Sequence, residues 1–196
     1  MAKRIIKLIV MGGLLSACTA TPPTRFYVLE PQFDVPAVSA DDQVKKLIIG
    51  IGPISIPALL ERKQLVTRDA DNNLQIAELQ QWAAPLKDNI AEVLAQNLTA
   101  LQPSQIIRAY PWNAYGSIDY QIIVQISRFD AKPEQSANLE ANWAIMDQKS
   151  HSVVSNGFSK IQAKPENATT TGTVKALNNT LATLSQELAK ALSKLK

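Results

Sequence analysis

The chain has one cysteine, Cys18, in 196 residues. An internal disulfide is therefore excluded, and stability has to come from a packed core. There is one histidine, His151, flanked by Ser150 and Ser152 in an expected turn. With no second His and no spare Cys, a His/Cys metal site has no ligand set. Glycine is scarce, at seven residues. The closest approach to a phosphate-cradling turn, Gly50-Ile51-Gly52, lacks the third glycine and runs into Pro53. No G-x-S-x-G elbow occurs, and a serine nucleophile would have only His151 as its base. The paired carboxylates Asp41-Asp42 are adjacent in a loop, where two side chains rarely address one substrate. These absences predict a protein that is not an enzyme and binds no metal or cofactor.

Charge is also sparse. Charged residues make up 19% of the chain and the formal net charge is +3. Three of the cations, Lys3, Arg4 and Lys7, precede residue 8, and residues 1–17 hold no Asp or Glu. Without them, seventeen basic residues balance seventeen acidic ones. No basic run follows residue 17, so a nucleic-acid partner is not expected.

The three N-terminal cations lead into the apolar run Leu8–Leu15, then Ser16, Ala17 and Cys18. This is the order of an export signal. The run is too short to cross a hydrocarbon core, which needs about 20 helical residues. An ordinary cleaved signal would share these features, but Leu15-Ser16-Ala17-Cys18 resembles the bacterial lipobox. There a diacylglyceryl group is joined to the thiol and the amine is acylated after cleavage. Residues 1–17 are thus expected to be a lipoprotein signal peptide, Cys18 the lipidated residue and residues 18–24 a tether. At about 0.8 kcal/mol per buried methylene, two or three acyl chains hold such a protein at a bilayer. Residue 19 is Thr rather than the Asp that resembles an inner-membrane retention signal. An outer-membrane address facing the periplasm is therefore expected.

The chain as a whole has 46% apolar residues, and the remainder, 25–196, reads as one α+β domain. Arg25–Leu29 is an expected strand and Pro31–Gln43 a loop. Lys46–Ile51 has consecutive apolar residues, as in a strand covered on both faces. It is expected to break at Gly52-Pro53 and resume over Ile54–Ile56. Leu65–Arg68 and Leu74–Ile76 flank Asp69-Ala70-Asp71-Asn72-Asn73, a hairpin turn. That turn starts like a calcium loop, but Leu74 and Gln80 stand where Gly and Glu belong. Pro85–Leu101 reads as a helix with Leu86, Ile90, Leu94, Leu98 and Leu101 in one stripe. Gln105–Tyr110, Tyr120–Phe129, Leu139–Met146 and Ser152–Gln162 read as strands, the last three as an antiparallel meander. Thr173–Leu195 reads as a helix whose seam (Leu177, Leu181, Leu184, Leu188, Ala191 and Leu195) packs on a sheet, with a coiled coil as the alternative. The expected architecture is an α/β sandwich: a mixed sheet with a meander, covered by the helices near 85–101 and 173–195.

Apolar groups also occur where elements join. Pro57-Ala58-Leu59-Leu60 and Gln81-Trp82-Ala83-Ala84-Pro85 are the two cases. Trp82 can pack over the start of helix 85–101, or Leu59, Leu60 and Trp82 can form a protein-binding edge, where Trp is a favoured anchor.

The same segments carry a resemblance. Ile51-Gly52-Pro53-Ile54-Ser55-Ile56-Pro57-Ala58-Leu59-Leu60-Glu61-Arg62 resembles the V-x-P-V-x-I-P-x-Y-L-D-R stretch of a known family. Trp82-Ala83-Ala84-Pro85-Leu86 with Leu94-Ala95-Gln96-Asn97-Leu98 resembles its W-A-x-P-L…L-x-x-N-L core. The family is the ABC-type transport auxiliary lipoproteins, the PqiC/YmbA group of paraquat-inducible systems. Leu59 stands where the family more often has Tyr. The resemblance implies an outer-membrane partner for a periplasm-spanning MCE-domain protein in intermembrane lipid transport. It implies a homo-oligomeric docking ring without catalysis, whose only non-protein group is the lipid on Cys18. The rival expectation is a periplasmic carrier holding an acyl chain between sheet and helices.

Overall fold

The computed structural model describes residues 22–35, 46–69, 71, 73–112 and 116–195. The signal, Cys18, Asp41-Asp42, Ala70, Asn72 and Lys196 lie outside the described residues. Eight strands and two long helices follow in the order β1 (Arg25–Tyr27), β2 (Ile48–Ser55), β3 (Gln64–Arg68), β4 (Leu74–Trp82), α1 (Leu86–Leu101), β5 (Ile106–Ala109), β6 (Tyr120–Lys132), β7 (Ser136–Asp147), β8 (Ser152–Ala163) and α2 (Thr170–Leu192). A 3-10 turn, Ala58–Leu60, lies between β2 and β3. The expected α+β sandwich is the architecture found: one mixed sheet with two helices on one face.

The meander β6–β7–β8 is antiparallel throughout. The other edge of β6 is shared. Its first half pairs parallel with β2, from Ile49↔Tyr120 to Ser55↔Gln125, and its end meets β3 at Thr67↔Ala131. From there the sheet forks. One branch continues from β2 to β5, and the other from β3 through β4 to β1.

β2 is covered on both faces, as its run of isoleucines implied. Ile49 and Ile51 are buried beneath α1. On the opposite face Gly50 leaves room for Trp112 and Ile118, which a Cβ there would meet at 3.0 and 2.7 Å. The expected break at Gly52-Pro53 is instead a register shift between Ile51 and Ile54 within one continuous strand. The shift supplies a place where the missing N–H of Pro53 leaves no gap in the ladder.

Helix α1 begins at Leu86 with Pro85 as its N-cap residue, and Asp88 lies in its first turn. Leu86, Ile90, Leu94 and Leu98 are buried, whereas Leu101 is half-buried. Helix α2 starts earlier than expected. Thr169 caps it by accepting a hydrogen bond from the Gly172 N–H, at 3.1 Å. Its seam Leu177, Leu181, Leu184 and Leu188 is buried against α1 and the meander, which decides against a free coiled coil; Leu195 falls beyond its end. Among the described residues no helix is long and apolar enough to cross a membrane.

The stretch after β1 has few strand hydrogen bonds and is clipped to the helices by asparagine side chains. Asn89 binds both backbone groups of Leu29. Asn97 accepts from the Gln32 N–H at 2.9 Å, and Asn178 from the Glu30 N–H at 3.3 Å.

Candidate functional site

The two segments with apolar residues at element junctions, far apart in sequence, come together at one end of the sheet. Pro57 starts the 3-10 turn, closed by Leu60 N–H donating to the Pro57 carbonyl at 2.8 Å and Glu61 N–H to Ala58 at 3.1 Å. The turn drives Leu60 inward, 5% exposed, and leaves Leu59 outward at 38%. Arg62 Nε donates to the Leu59 carbonyl at 2.9 Å and so fixes the turn from outside.

Trp82 is the last residue of β4. Its N–H donates to the Lys63 carbonyl at 2.6 Å, and the next N–H, of Ala83, donates to Tyr27 at 2.8 Å. The indole is 7% exposed and belongs to the core beside Leu86. Of the three residues expected to meet a partner, Leu59 presents its side chain to solvent. Leu60 and Trp82 are turned inward: the closing bond of the 3-10 turn sets Leu60, and the pairing of β4 with β1 sets Trp82 beside Tyr27. Trp82 is buried and shares the cleft lining with Pro85 and Leu86 at the start of α1.

Between these segments lies an open cleft of about 420 Å³. Its apolar wall is Ile56, Trp82, Pro85 and Leu86, with Ala83 and Ala84 between them. Its polar rim is Arg62, Lys63 and Lys87 against a single acid, Glu61. The N-terminal turn of α1 opens at the same place, adding the positive end of the helix dipole. The cleft offers shape, apolar area and positive potential. It holds no nucleophile–base pair, and among the described residues no group of three His, Cys, Asp or Glu is placed to hold a metal.

The other residues singled out in the sequence lie elsewhere. His151 is exposed in the β7–β8 turn with φ of 52°. In that turn the backbone N–H groups of Lys149 and Ser150 donate to Asp147, at 2.7 and 3.2 Å, and hold its carboxyl below the usual range. Asp69 closes the β3–β4 hairpin by accepting from the Asn73 backbone at 2.8 Å and from its side chain at 3.1 Å. Desolvation pushes the Asp69 carboxyl up, but these bonds with those of Gln75 and the Asp71 backbone outweigh it and lower it. Its oxygens are engaged by the turn, as the hairpin reading implied.

One cluster had no forewarning in the sequence. Asp130 on β6 is 3% exposed and accepts from Arg68 Nε at 3.0 Å and Arg128 Nε at 3.0 Å, with Asn138 Nδ2 at 3.3 Å. Arg128 and Lys160 also approach Glu140, at 3.9 and 3.5 Å. The cluster lies on the sheet face away from the helices and ties β3, β6, β7 and β8 together. Asp130 lies just past Phe129, where the expected strand ended, so the sequence did not place it in β6.

A family model described as the ABC-type transport auxiliary lipoprotein component matches residues 27–189. A solved structure of an uncharacterized protein aligns over 87% of this chain and 99% of its own, with a TM-score of 0.73 at 18% identity. Protein XCC0632 from Xanthomonas campestris aligns over 83% of this chain and 92% of its own, with a TM-score of 0.63 at 18% identity. At these identities the two likenesses establish a shared fold. No curated protein matches the chain.

Proposed function

Because the chain belongs to the family of ABC-type transport auxiliary lipoproteins, we propose that it is the outer-membrane docking subunit of an MCE-type intermembrane lipid transport system. Residues 1–17 direct export, Cys18 carries the lipid, 18–24 form the tether, and 25–196 make the docking domain. The domain faces the periplasm, assembles with further copies of itself into a ring, and receives the end of the periplasm-spanning MCE-domain protein. It supports envelope integrity through this contact and does no chemistry of its own.

The observation that carries this reading is the meeting of Ile56–Lys63 with Trp82–Lys87 in one cleft. An apolar wall rimmed by three cations and one acid suits an extended protein segment that brings apolar side chains and negative charge. The carrier alternative has less support. The space between sheet and helices is filled by Ile51, Ile90, Leu94, Leu98, Leu181 and Leu184, all fully buried. Close packing of that kind fills the centre of the sandwich, where an acyl chain would have to lie.

Capture of the lipidated protein from membranes in mild detergent tests the reading. An MCE-domain protein is expected with the natural chain and is expected to be lost with Arg62→Glu combined with Lys87→Glu. Capture of no such protein by the natural chain counts against docking. Recovery with both chains alike moves the contact away from the cleft. Density fractionation of Cys18→Ala checks the anchor, with loss from the outer-membrane fraction expected.

A further inference from the structure

The sheet face away from the helices is apolar on the wing built from β1, β4 and β3. Tyr27 and Trp82 are register partners that face the core. Phe26, paired with Gln81, therefore points the other way, and it is 64% exposed. Val28 continues the alternation on the same side and is exposed too. On β4, Gln80 faces the helices, where its Oε1 accepts from Thr170 at the start of α2, so Leu79 shares the outer face with Phe26.

Farther along β4 the ladder to β3 shifts between Gln64 and Leu65. Beyond the shift, buried Leu65 pairs with Ala77, which turns Ile76 and Leu74 outward beside Val66 and Arg68. The register shift thus brings Leu74, Ile76 and Leu79 to one face, although their spacing alone would split them. The charged groups bordering them are engaged: Arg68 by Asp130, and Glu78 by the Gln64 side chain at 3.3 Å. A solvated sheet face normally alternates to polar residues. Five exposed large apolar side chains on one wing mark a surface with a partner.

The position of this wing along the chain identifies that partner. β1 begins seven residues after Cys18. Fully extended, that distance is at most about 25 Å. Pro22 and Pro23 stiffen the connection. Immediately after β1, Asn89 and Asn97 hold Leu29 and Gln32 to α1. The tether therefore leaves from a fixed strand rather than a loose tail. We propose that the outer face of the β1–β4–β3 wing, led by Phe26 and Leu79, rests on the lipid surface that holds the anchor. Phenylalanine and leucine enter the headgroup boundary readily, and a second weak contact of this kind fixes the orientation that a single flexible anchor leaves free. The inference rests on lipidation of Cys18 as proposed above.

Cys18 is the chain's only cysteine, and in the acylated protein its sulfur is a thioether, so one introduced thiol can be labelled alone. Phe26→Cys, Leu79→Cys and, as control on the far β8 edge, Phe158→Cys are made in the full-length lipidated protein. Each is labelled with an NBD dye and reconstituted into phosphatidylethanolamine–phosphatidylglycerol vesicles. Blue-shifted emission that is lost on adding spin-labelled lipid is expected at 26 and 79 and not at 158. Water-like emission at 26 and 79 overturns the proposal. So does a blue shift that spin-labelled lipid leaves unquenched, which is burial against a second copy or another protein. Intact mass of the same samples separates the two readings. An acylated chain without quenching removes the membrane face and leaves the docking function standing. A chain without acylation removes both the anchor and this inference.

Discussion

The Asn89 side chain grips the backbone of Leu29 from both sides. Its Oδ1 accepts from the Leu29 N–H at 2.7 Å, and its Nδ2 donates to the Leu29 carbonyl at 3.2 Å. An amide on α1 thereby does what a neighbouring strand would do for a segment that has left the sheet. Asn89→Ala leaves both backbone groups without these partners next to a buried leucine. A loss of about 1–3 kcal/mol in stability is expected, with faster hydrogen exchange at residues 28–32 as the local readout.

Trp143 fills the space over Gly157. A Cβ at residue 157 would lie 2.5 Å from the indole. The indole cannot yield easily, because its Nε1 donates to Ser159 Oγ at 3.0 Å and Ser159 in turn donates to Glu187 on α2. Gly157→Ala is expected to cost about 1–3 kcal/mol by overpacking. The loss should be largely relieved in the double variant with Trp143→Leu, as measured by denaturant unfolding.

Asp130 concentrates the charge of two arginines in a buried place. Removing one partner of a buried pair typically costs about 3–5 kcal/mol. Arg68 and Arg128 are 25% and 29% exposed and can be partly rehydrated, so Asp130→Asn is expected near the lower end of that range. The check is the urea midpoint of the variant. Surface pairs such as Lys175–Glu166, at 3.6 Å between well-exposed side chains, should change it by well under about 1 kcal/mol when broken.

Much of this fold was legible because it rests on local periodicity. The stripe of α1, the alternation of β6 and the leucine seam of α2 each announce an element and its buried face. The legible part ends where a feature depends on a partner far along the chain. Asn97, fully buried, accepts from the Gln32 backbone, 65 residues before it, and donates to Ser185 Oγ, 88 residues after it. The motif Leu94-Ala95-Gln96-Asn97-Leu98 marks Asn97 as unusual, but nothing near it names these two partners. Nothing near Asp130 names its partners either, and its face was set by the shift between Ile126 and Arg128. At the cleft, the two segments were recognisable as unusual and a packed Trp82 was one of the two readings offered, but the inward turn of Leu60 was not legible. That turn follows from the closing bond of the 3-10 turn.

The two aspartates that close hairpins give the domain some acid sensitivity. Asp147 is lowered by the Lys149 and Ser150 N–H groups, and Asp69 by its bonds with Asn73 despite desolvation. A carboxyl lowered in the folded state contributes stability that is complete above its ordinary value of 3.8 and is lost as pH falls through the lower folded value. Asp147→Asn is therefore expected to lower stability slightly at neutral pH and to flatten the decline below pH about 4. Thermal melts of both chains across that range provide the check.

Leu59 and Leu60 separate folding from docking at adjacent positions. Leu60→Ala, in the core, is expected to cost about 2–5 kcal/mol. Leu59→Ser, on the surface beside the cleft, should stay within about 0.5 kcal/mol of the natural chain. Its expected effect is a weaker hold on the MCE-domain protein, read by co-purification at matched expression.

Photo-crosslinking in the native envelope puts the docking claim to its most direct test. With p-benzoylphenylalanine at residue 59, irradiation of cells should join this chain to an MCE-domain protein, identified by mass spectrometry, while the same group at residue 158 should not. Crosslinking to that protein from 158 and none from 59 would contradict the account.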